Sequence, residues 1–233
     1  MTINHETPEL SKELYDRIKL VRRDIGNLLF HFTRKPPGDF VTIELESGGT
    51  WSMSSSAGSV LNKILHDGRL LGTSKWTYGH NCICFTEAPI QEFNSVFSLL
   101  EIASSKNERP RYEPYGIAVS KKFLFKCGGR PVIYDHPSAF EELPESQRYR
   151  FVPYDPEKQI DFTWEREWRI RADYLQLDPK ETLVVVPSSD EAFDIVYQFA
   201  NIEADYDRDG SIMGAYHDPK WLAVSLDLFG VGF

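Results

Sequence analysis

The residues best equipped for chemistry stand in one stretch, Phe162-Thr163-Trp164-Glu165-Arg166-Glu167-Trp168-Arg169-Ile170-Arg171. Its alternation predicts a strand, with Trp164, Arg166, Trp168 and Ile170 on one face and Glu165, Glu167, Arg169 and Arg171 on the other. Two indoles can bury ~150–250 Å² each, so the tryptophan face is expected to anchor the strand in a core. The opposite face then presents two carboxylates beside two guanidiniums. Such a pair can stabilise a developing cation and move a proton. It can equally be a set of surface ion pairs at a sheet margin.

A second set lies near the start of the chain. Leu28-Leu29-Phe30-His31-Phe32-Thr33 reads as a strand, with Leu28, Phe30 and Phe32 on one face and Leu29, His31 and Thr33 on the other. A His and a Thr on one face can donate to and accept from a ribose hydroxyl, and a core histidine satisfied by its neighbours gives the same pattern. Residues 34–53 follow as a Pro- and Gly-punctuated insertion, either a lid or a surface hairpin. Cys82-x-Cys84 lacks a second ligand pair at zinc spacing; on a strand the two thiols share a face as small hydrophobes. Asp205 to Gly210 imitates the start of a calcium loop, but Tyr216 stands where a bidentate Glu is needed, so it reads as a solvated acidic loop. No metal is expected.

These residues need elements to hold them. Pro8 and Gly26 bracket an amphipathic helix at 8–25, with Leu10, Leu14, Ile18, Val21 and Ile25 as its apolar stripe. Ser54-Ser55-Ser56 offers an N-cap to a helix through Leu61 and Leu65 that Gly68 ends. Asn81–Thr86 reads as a strand and 90–100 as a helix burying Phe93, Val96, Phe97 and Leu100. Residues 103–114 are a basic loop. Strands are expected at 115–119, 131–134, 182–186 and 221–226. A helical turn is expected at 121–126, and helices at 138–150 and 189–200. Helices and short strands mix without a βαβ rhythm or repeats, which predicts an α+β fold.

The 233 residues, 41% hydrophobic, suffice for one domain with a sizeable core. No apolar run reaches the ~18–20 residues of a membrane span, and the polar N-terminus is no signal peptide. Three cysteines suggest reduced thiols in a cytoplasm. A net charge of −9 argues against a protein that coats nucleic acid non-specifically. The charge is uneven: residues 104–130 carry seven Lys or Arg against two Glu, and residues 186–233 carry nine Asp or Glu against two basic residues. A basic middle permits a local polyanion site on an acidic chain.

Four motifs stand in order: His31-Phe32-Thr33; Ile64-Leu65-His66-Asp67-Gly68-Arg69-Leu70; Phe85-Thr86-Glu87-Ala88-Pro89; and Glu165-x-Glu167. The succession, over about residues 27–171, resembles the ADP-ribosyltransferase fold. It is closest to AbiGi-like abortive-infection proteins and more distantly similar to DarT-type nucleic-acid ADP-ribosyltransferases. The segments Lys126–Tyr134 and Trp164–Arg169 also look like AbiGi-type sequence. The resemblance implies a single domain over 1–233, with an N-terminal helix in 1–26, the core in 27–171 and an acidic C-terminal part in 172–233. It implies an NAD-dependent toxin of phage defence, with NAD as substrate and an antitoxin protein as a partner. By the same analogy Glu167 is catalytic and Glu165 orients the acceptor. His31, Thr33, Arg34 and Thr86 contact NAD, with Tyr115 or Tyr134 stacking on nicotinamide.

The acceptor implied is a base of single-stranded nucleic acid, RNA before DNA, because an enzyme acting on a base needs it unstacked. Arg109, Arg111, Lys121 and Lys122, interleaved with Tyr112 and Tyr115, are the expected acceptor contacts. An NAD hydrolase using water and a non-catalytic nucleotide-sensing module are the rival expectations.

Overall fold

The computed structural model describes residues 11–21, 26–45, 47–93 and 112–231. The strands are β1 (Leu28–Phe32), β2 (Phe40–Glu44), β3 (Thr50–Ser54), β4 (Arg69–Leu71), β5 (Cys82–Thr86), β6 (Gly116–Ser120), β7 (Arg130–Pro131), β8 (Ile133–Asp135), β9 (Phe151–Pro153), β10 (Glu167–Arg171), β11 (Tyr174–Gln176), β12 (Thr182–Val186), β13 (Ala200–Tyr206), β14 (Ile212–Pro219) and β15 (Leu222–Ser225). The α-helices are α1 (Lys12–Val21), α2 (Ala57–Asp67), α3 (Lys121–Lys126), α4 (Glu145–Arg148) and α5 (Ser189–Gln198). The result is a mixed α and β structure with few helices, built on one large mixed sheet, in keeping with the expected class. No helix among the described residues is long and apolar enough to cross a membrane.

Seven strands form that sheet in the order β15-β12-β6-β1-β5-β10-β7. Only the outer pair, β12 and β15, is parallel. The sheet is two blocks joined at a narrow point. β1 pairs with β6 over five positions and β10 with β5 over five, whereas β1 and β5 share one, Phe30 opposite Thr86. β12 and β15 belong to the first block, and Trp221 beside β15 is 0% exposed, so the acidic C-terminal part is built into the sheet.

Each face of the sheet carries its own core, as period-2 side chains require. One contains Leu29, Ile83, Phe85, Ile117, Val119, Trp168 and Ile170 under Leu61 and Leu65 of α2 and Ile195 of α5. The other contains Phe30, Phe32, Ala118 and Val185 with Ala88, Phe93, Leu226 and Val231. α2 forms where its caps direct. Ser56 and Ser59 make a reciprocal capping box, and Gly68 closes the helix in a left-handed conformation at φ 65°. α5 starts with the same device from Ser188 and Glu191.

Several expectations change. The insertion at 34–53 contains a hairpin, β2–β3, whose Val41 and Ile43 are buried. The strand at 131–134 splits into β7 and β8, and 138–150 forms a 3₁₀ segment at Pro137–Glu142 and the single turn α4. Leu14 in α1 is exposed, while Leu10 and Ile25 lie outside the described residues. Of the helix expected at 90–100, the described part is the 3₁₀ turn Ile90–Glu92 followed by fully buried Phe93; Val96, Phe97 and Leu100 lie outside. Asp205 and Tyr206 are not loop but the end of β13. Its hairpin with β14 turns at Asp207, whose Oδ1 accepts from the amides of Asp209 and Ser211.

In the β1–β6 ladder Gly116 faces Phe32, and a Cβ there would lie 2.4 Å from the His31 carbonyl oxygen. Backbone cannot yield as a flexible side chain does, so Gly116→Ala should cost about 1–3 kcal/mol of stability. Urea denaturation measures this; an unchanged midpoint would show that β1 moves aside without cost.

Candidate active site

The stretch expected to be one strand is broken in the middle. Thr163–Glu165 forms a 3₁₀ turn, Arg166 adopts a left-handed backbone at φ 47°, and β10 begins only at Glu167. The broken alternation reverses the expected inside and outside. Trp164 is 39% exposed, whereas Glu165 is 2%, Glu167 7% and Arg169 5% exposed. Trp168 and Ile170 are buried as expected, so both faces of β10 are covered and the carboxylates belong to the interior.

Two interior charges need partners, because an unpaired buried carboxylate costs several kcal/mol. Glu167 is held by a two-pronged fork: Arg169 Nε donates to Oε1 at 2.8 Å and a terminal nitrogen to Oε2 at 3.1 Å. The other terminal nitrogen of Arg169 donates to the carbonyls of Tyr149 at 2.8 Å and Phe151 at 3.1 Å. Across the ladder Glu167 faces Thr86, and Arg169 faces Cys84. The Cys84 thiol bonds to Glu167. Burial first, and then the Glu167 charge, push that thiol well above its ordinary range. Tyr134 accepts the backbone N–H of Glu167 at 2.9 Å through its phenol oxygen. Its own ionisation is pushed up to about 12, by burial above all and by the Glu167 and Glu165 charges. It is therefore a proton donor at neutral pH.

Glu165 sits on the same side of the sheet under an aromatic group. Tyr112 donates its phenol proton to Glu165 Oε2 at 2.8 Å. The Tyr112 ring packs edge-on against Phe32, Phe93 and Trp164. Thr86 fixes the turn beneath by donating to the Glu165 carbonyl at 2.5 Å.

His31 occupies the neck of the sheet from the opposite face. Beyond the single Phe30–Thr86 pair, the Cys84 carbonyl is met by the His31 ring, with Nδ1 at 2.8 Å. A carbonyl only accepts, so Nδ1 carries the proton and Nε2 is left as an acceptor. Burial holds the imidazole pKa below its ordinary 6.5, against the smaller effect of this hydrogen bond. Cys84 is thus the meeting point of the two sets, with His31 on its carbonyl and Glu167 on its thiol.

Other expected contacts are already engaged. The Thr33 hydroxyl, 4% exposed, donates to the carbonyls of Ala57 at 3.0 Å and Tyr115 at 2.9 Å, so it fastens β1 to α2 and is not turned to a ribose. Thr86 positions Glu165 and is 3% exposed. Tyr115 donates to Glu191 Oε1 at 2.5 Å and packs beside Gly58, which ties it to α5 and α2 and away from the carboxylates. Of the two tyrosines, Tyr134 is the one that lies beside the carboxylates. Arg34 is exposed. Lys121 is ion-paired with Glu87, and its ammonium lies 5.8 Å from the Trp168 ring centre; Lys122 alone of that pair is exposed. Arg109 and Arg111 lie outside the described residues.

Tyr112 and Cys84 are the residues whose part here the chain pattern does not announce. Tyr112 reads as an aromatic in a basic loop. Cys84 is recognisable only once β5 is known to face Arg169. No family model, curated protein or solved structure matches the chain.

Removing one partner of the buried pair leaves the other uncompensated. Arg169→Met should therefore cost about 3–5 kcal/mol, and Glu167→Leu with Arg169→Met clearly less than Arg169→Met alone. Denaturant titration of the three proteins checks the order; a double variant as unstable as the single one would show that the buried carboxylate does not depend on the guanidinium. The pH dependence has a definite sign. A histidine with a depressed folded pKa binds fewer protons folded than unfolded, so stability falls as pH drops through and below 6.5. His31→Gln should flatten that fall between pH 7 and 5, as read from Tm against pH.

Proposed function

We propose that the protein is an NAD-dependent ADP-ribosyltransferase that modifies a base of single-stranded nucleic acid, RNA before DNA, in an antiviral toxin with an antitoxin partner. The observation that carries the catalytic part is the buried Glu167, held by Arg169 beside Glu165 and the protonated Tyr134. Cleavage at the nicotinamide ribose develops positive charge on the sugar, and a fixed anion lowers that barrier without reorganising. The Arg169 fork and the Cys84 thiol take three of about four acceptor positions of the carboxylate. Capacity remains for a ribose hydroxyl. The Arg169 guanidinium also supplies the counter-charge that a buried carboxylate needs.

The residues that fit NAD in this reading are Glu167, Tyr134 and exposed Arg34 for a pyrophosphate, while His31 lies on the other face of the sheet. Thr33, Thr86 and Tyr115 serve the fold around them. Glu165 is the group for the acceptor, either orienting it or taking its proton. Partly exposed Tyr134 and Trp164 border the two carboxylates and form the approach to them.

One observation favours a non-catalytic, nucleotide-sensing module: the same Arg169 fork engages both Glu167 oxygens, as a purely structural pair would. Incubation with NAD labelled in the adenylate, with RNA, DNA and protein as competing acceptors, separates the readings. Label on RNA is the expected result. Free ADP-ribose alone indicates a hydrolase, and no turnover a sensor. Glu167→Gln, compared with the parent at equal folded fraction, should reduce transfer by about 10²–10³-fold, because it loses the charge. A fully active Glu167→Gln beside an inactive Glu165→Gln would exchange the two roles.

A further inference from the structure

The loop between β4 and β5 is closed at its base by an isolated pairing of Thr73 with Cys82. Several contacts hold it. Thr77 is 1% exposed, and its hydroxyl donates to the His80 carbonyl at 2.5 Å and to that of Thr73 at 3.3 Å. Tyr78 stacks on Phe140 with ring centres 4.3 Å apart. Gly72 donates its N–H to the Asp173 carbonyl at 2.7 Å, and a Cβ on Gly72 would lie 2.1 Å from the Ala172 carbonyl oxygen. Asn81 donates to Asp173 Oδ1 at 2.8 Å. The loop is thereby pinned against the end of β10 and the residues after it.

Trp76 is presented outward from this frame. It is 78% exposed, the most exposed of the large hydrophobic side chains among the described residues, and its backbone is left-handed at φ 69°. Tyr78, two residues on, is also left-handed at φ 54°. Bulky residues rarely adopt that conformation, and the strain concentrates at sites of function. Lys75 lies with its ammonium 5.4 Å from the Trp76 ring centre. From Arg69 to Asn81 there are two basic residues and no acidic one, in a chain of net charge −9. Beside the loop lies an open cleft of about 340 Å³ lined by Gly79, His80, Asn81, Arg171, Ala172 and Asp173.

We infer that this loop and cleft bind single-stranded nucleic acid, with a base stacked on Trp76 and the backbone phosphates beside Lys75 and Arg171. An exposed indole is a sequence-tolerant stacking surface, and adjacent cations follow the backbone. The position suits an acceptor. Arg171 is on the same side of β10 as Glu167, four residues along, or about 13 Å at ~3.3 Å per residue. The inference deepens the proposed function by giving the acceptor a surface, and it rests on that reading for the identity of the ligand. It adds a surface to the expected basic stretch, of which Lys121 is paired with Glu87, Lys122 is exposed and Arg109 and Arg111 lie outside the described residues.

The test is fluorescence anisotropy of a labelled oligouridylate without NAD, run beside the labelled-NAD assay. The variants are Trp76→Gly, Trp76→Phe, and Lys75→Ser with Arg171→Ser. Trp76→Gly should weaken binding about 5- to 150-fold, the range for removing the platform under one stacked base, with Tm no lower than the parent, since glycine accepts the left-handed backbone. Trp76→Phe should restore most of the affinity. The double serine variant should reduce the salt slope by about 0.7 for each phosphate no longer neutralised. Parent-like affinity in Trp76→Gly, an unchanged slope in the serine variant, or a parent that binds no oligouridylate overturns the inference. NAD turnover by a parent that does not bind RNA leaves the transferase reading standing and moves the acceptor to another class. RNA binding through Trp76 with no NAD turnover leaves the surface standing and overturns the transferase.

Discussion

A buried ion pair sets the terms for the second block of the sheet. Glu167 and Arg169 are two residues apart on one strand, on the same side, and both enclosed. Removing two charges from water costs several kcal/mol each, and their attraction repays this only when the remaining donors and acceptors are met. The protein meets them with backbone. The guanidinium reaches the carbonyls of Tyr149 and Phe151, and the amide of Glu167 reaches the Tyr134 phenol. The parallel pair β8–β9, which carries Tyr134 and Phe151, is thereby fastened over β10 by polar contacts as well as by packing.

The other block is held in a more ordinary way. β1, β6, β12 and β15 pair along their lengths, with an apolar layer on either side. Thr33 and Tyr115 fasten its edge to α2 and α5 through hydroxyls. The chemical groups therefore gather where the two blocks meet, around Cys84, and not along either block. A carboxylate fixed by arginine and a histidine bonded through Nδ1 approach that residue from opposite faces, so each keeps its own environment.

Elements with one clear rule were legible in the chain. The caps of α2, the alternation of β1 and the buried valines of β12 each follow from a single period or a single terminal residue. The candidate site was legible in composition but not in geometry. Alternation from Phe162 to Arg171 presumes a continuous strand, and the left-handed Arg166 resets the count between the two glutamates. It also presumes that one face is wet, whereas both faces of β10 are covered. Thr33, Thr86 and Tyr115 are polar residues at the right places along the chain. Which hydrogen bonds they make depends on α2, α5 and the turn at Thr163, none of which is local to them. The β13–β14 hairpin escaped because its strands carry acidic and apolar residues on surfaces that are nearly all exposed, so no buried periodicity marks them.

The single Phe30–Thr86 pairing gives the molecule a seam. Each block has its own ladder, and the backbone offers only one paired position between them. A ligand that touches both sides does the work of the missing ladder. Its binding free energy then enters the stability of the whole chain, by RT ln(1 + [L]/Kd), or about 2.7 kcal/mol at a hundredfold excess over Kd. Under the proposed function, a nucleotide bound across the seam ties the two blocks together from solution.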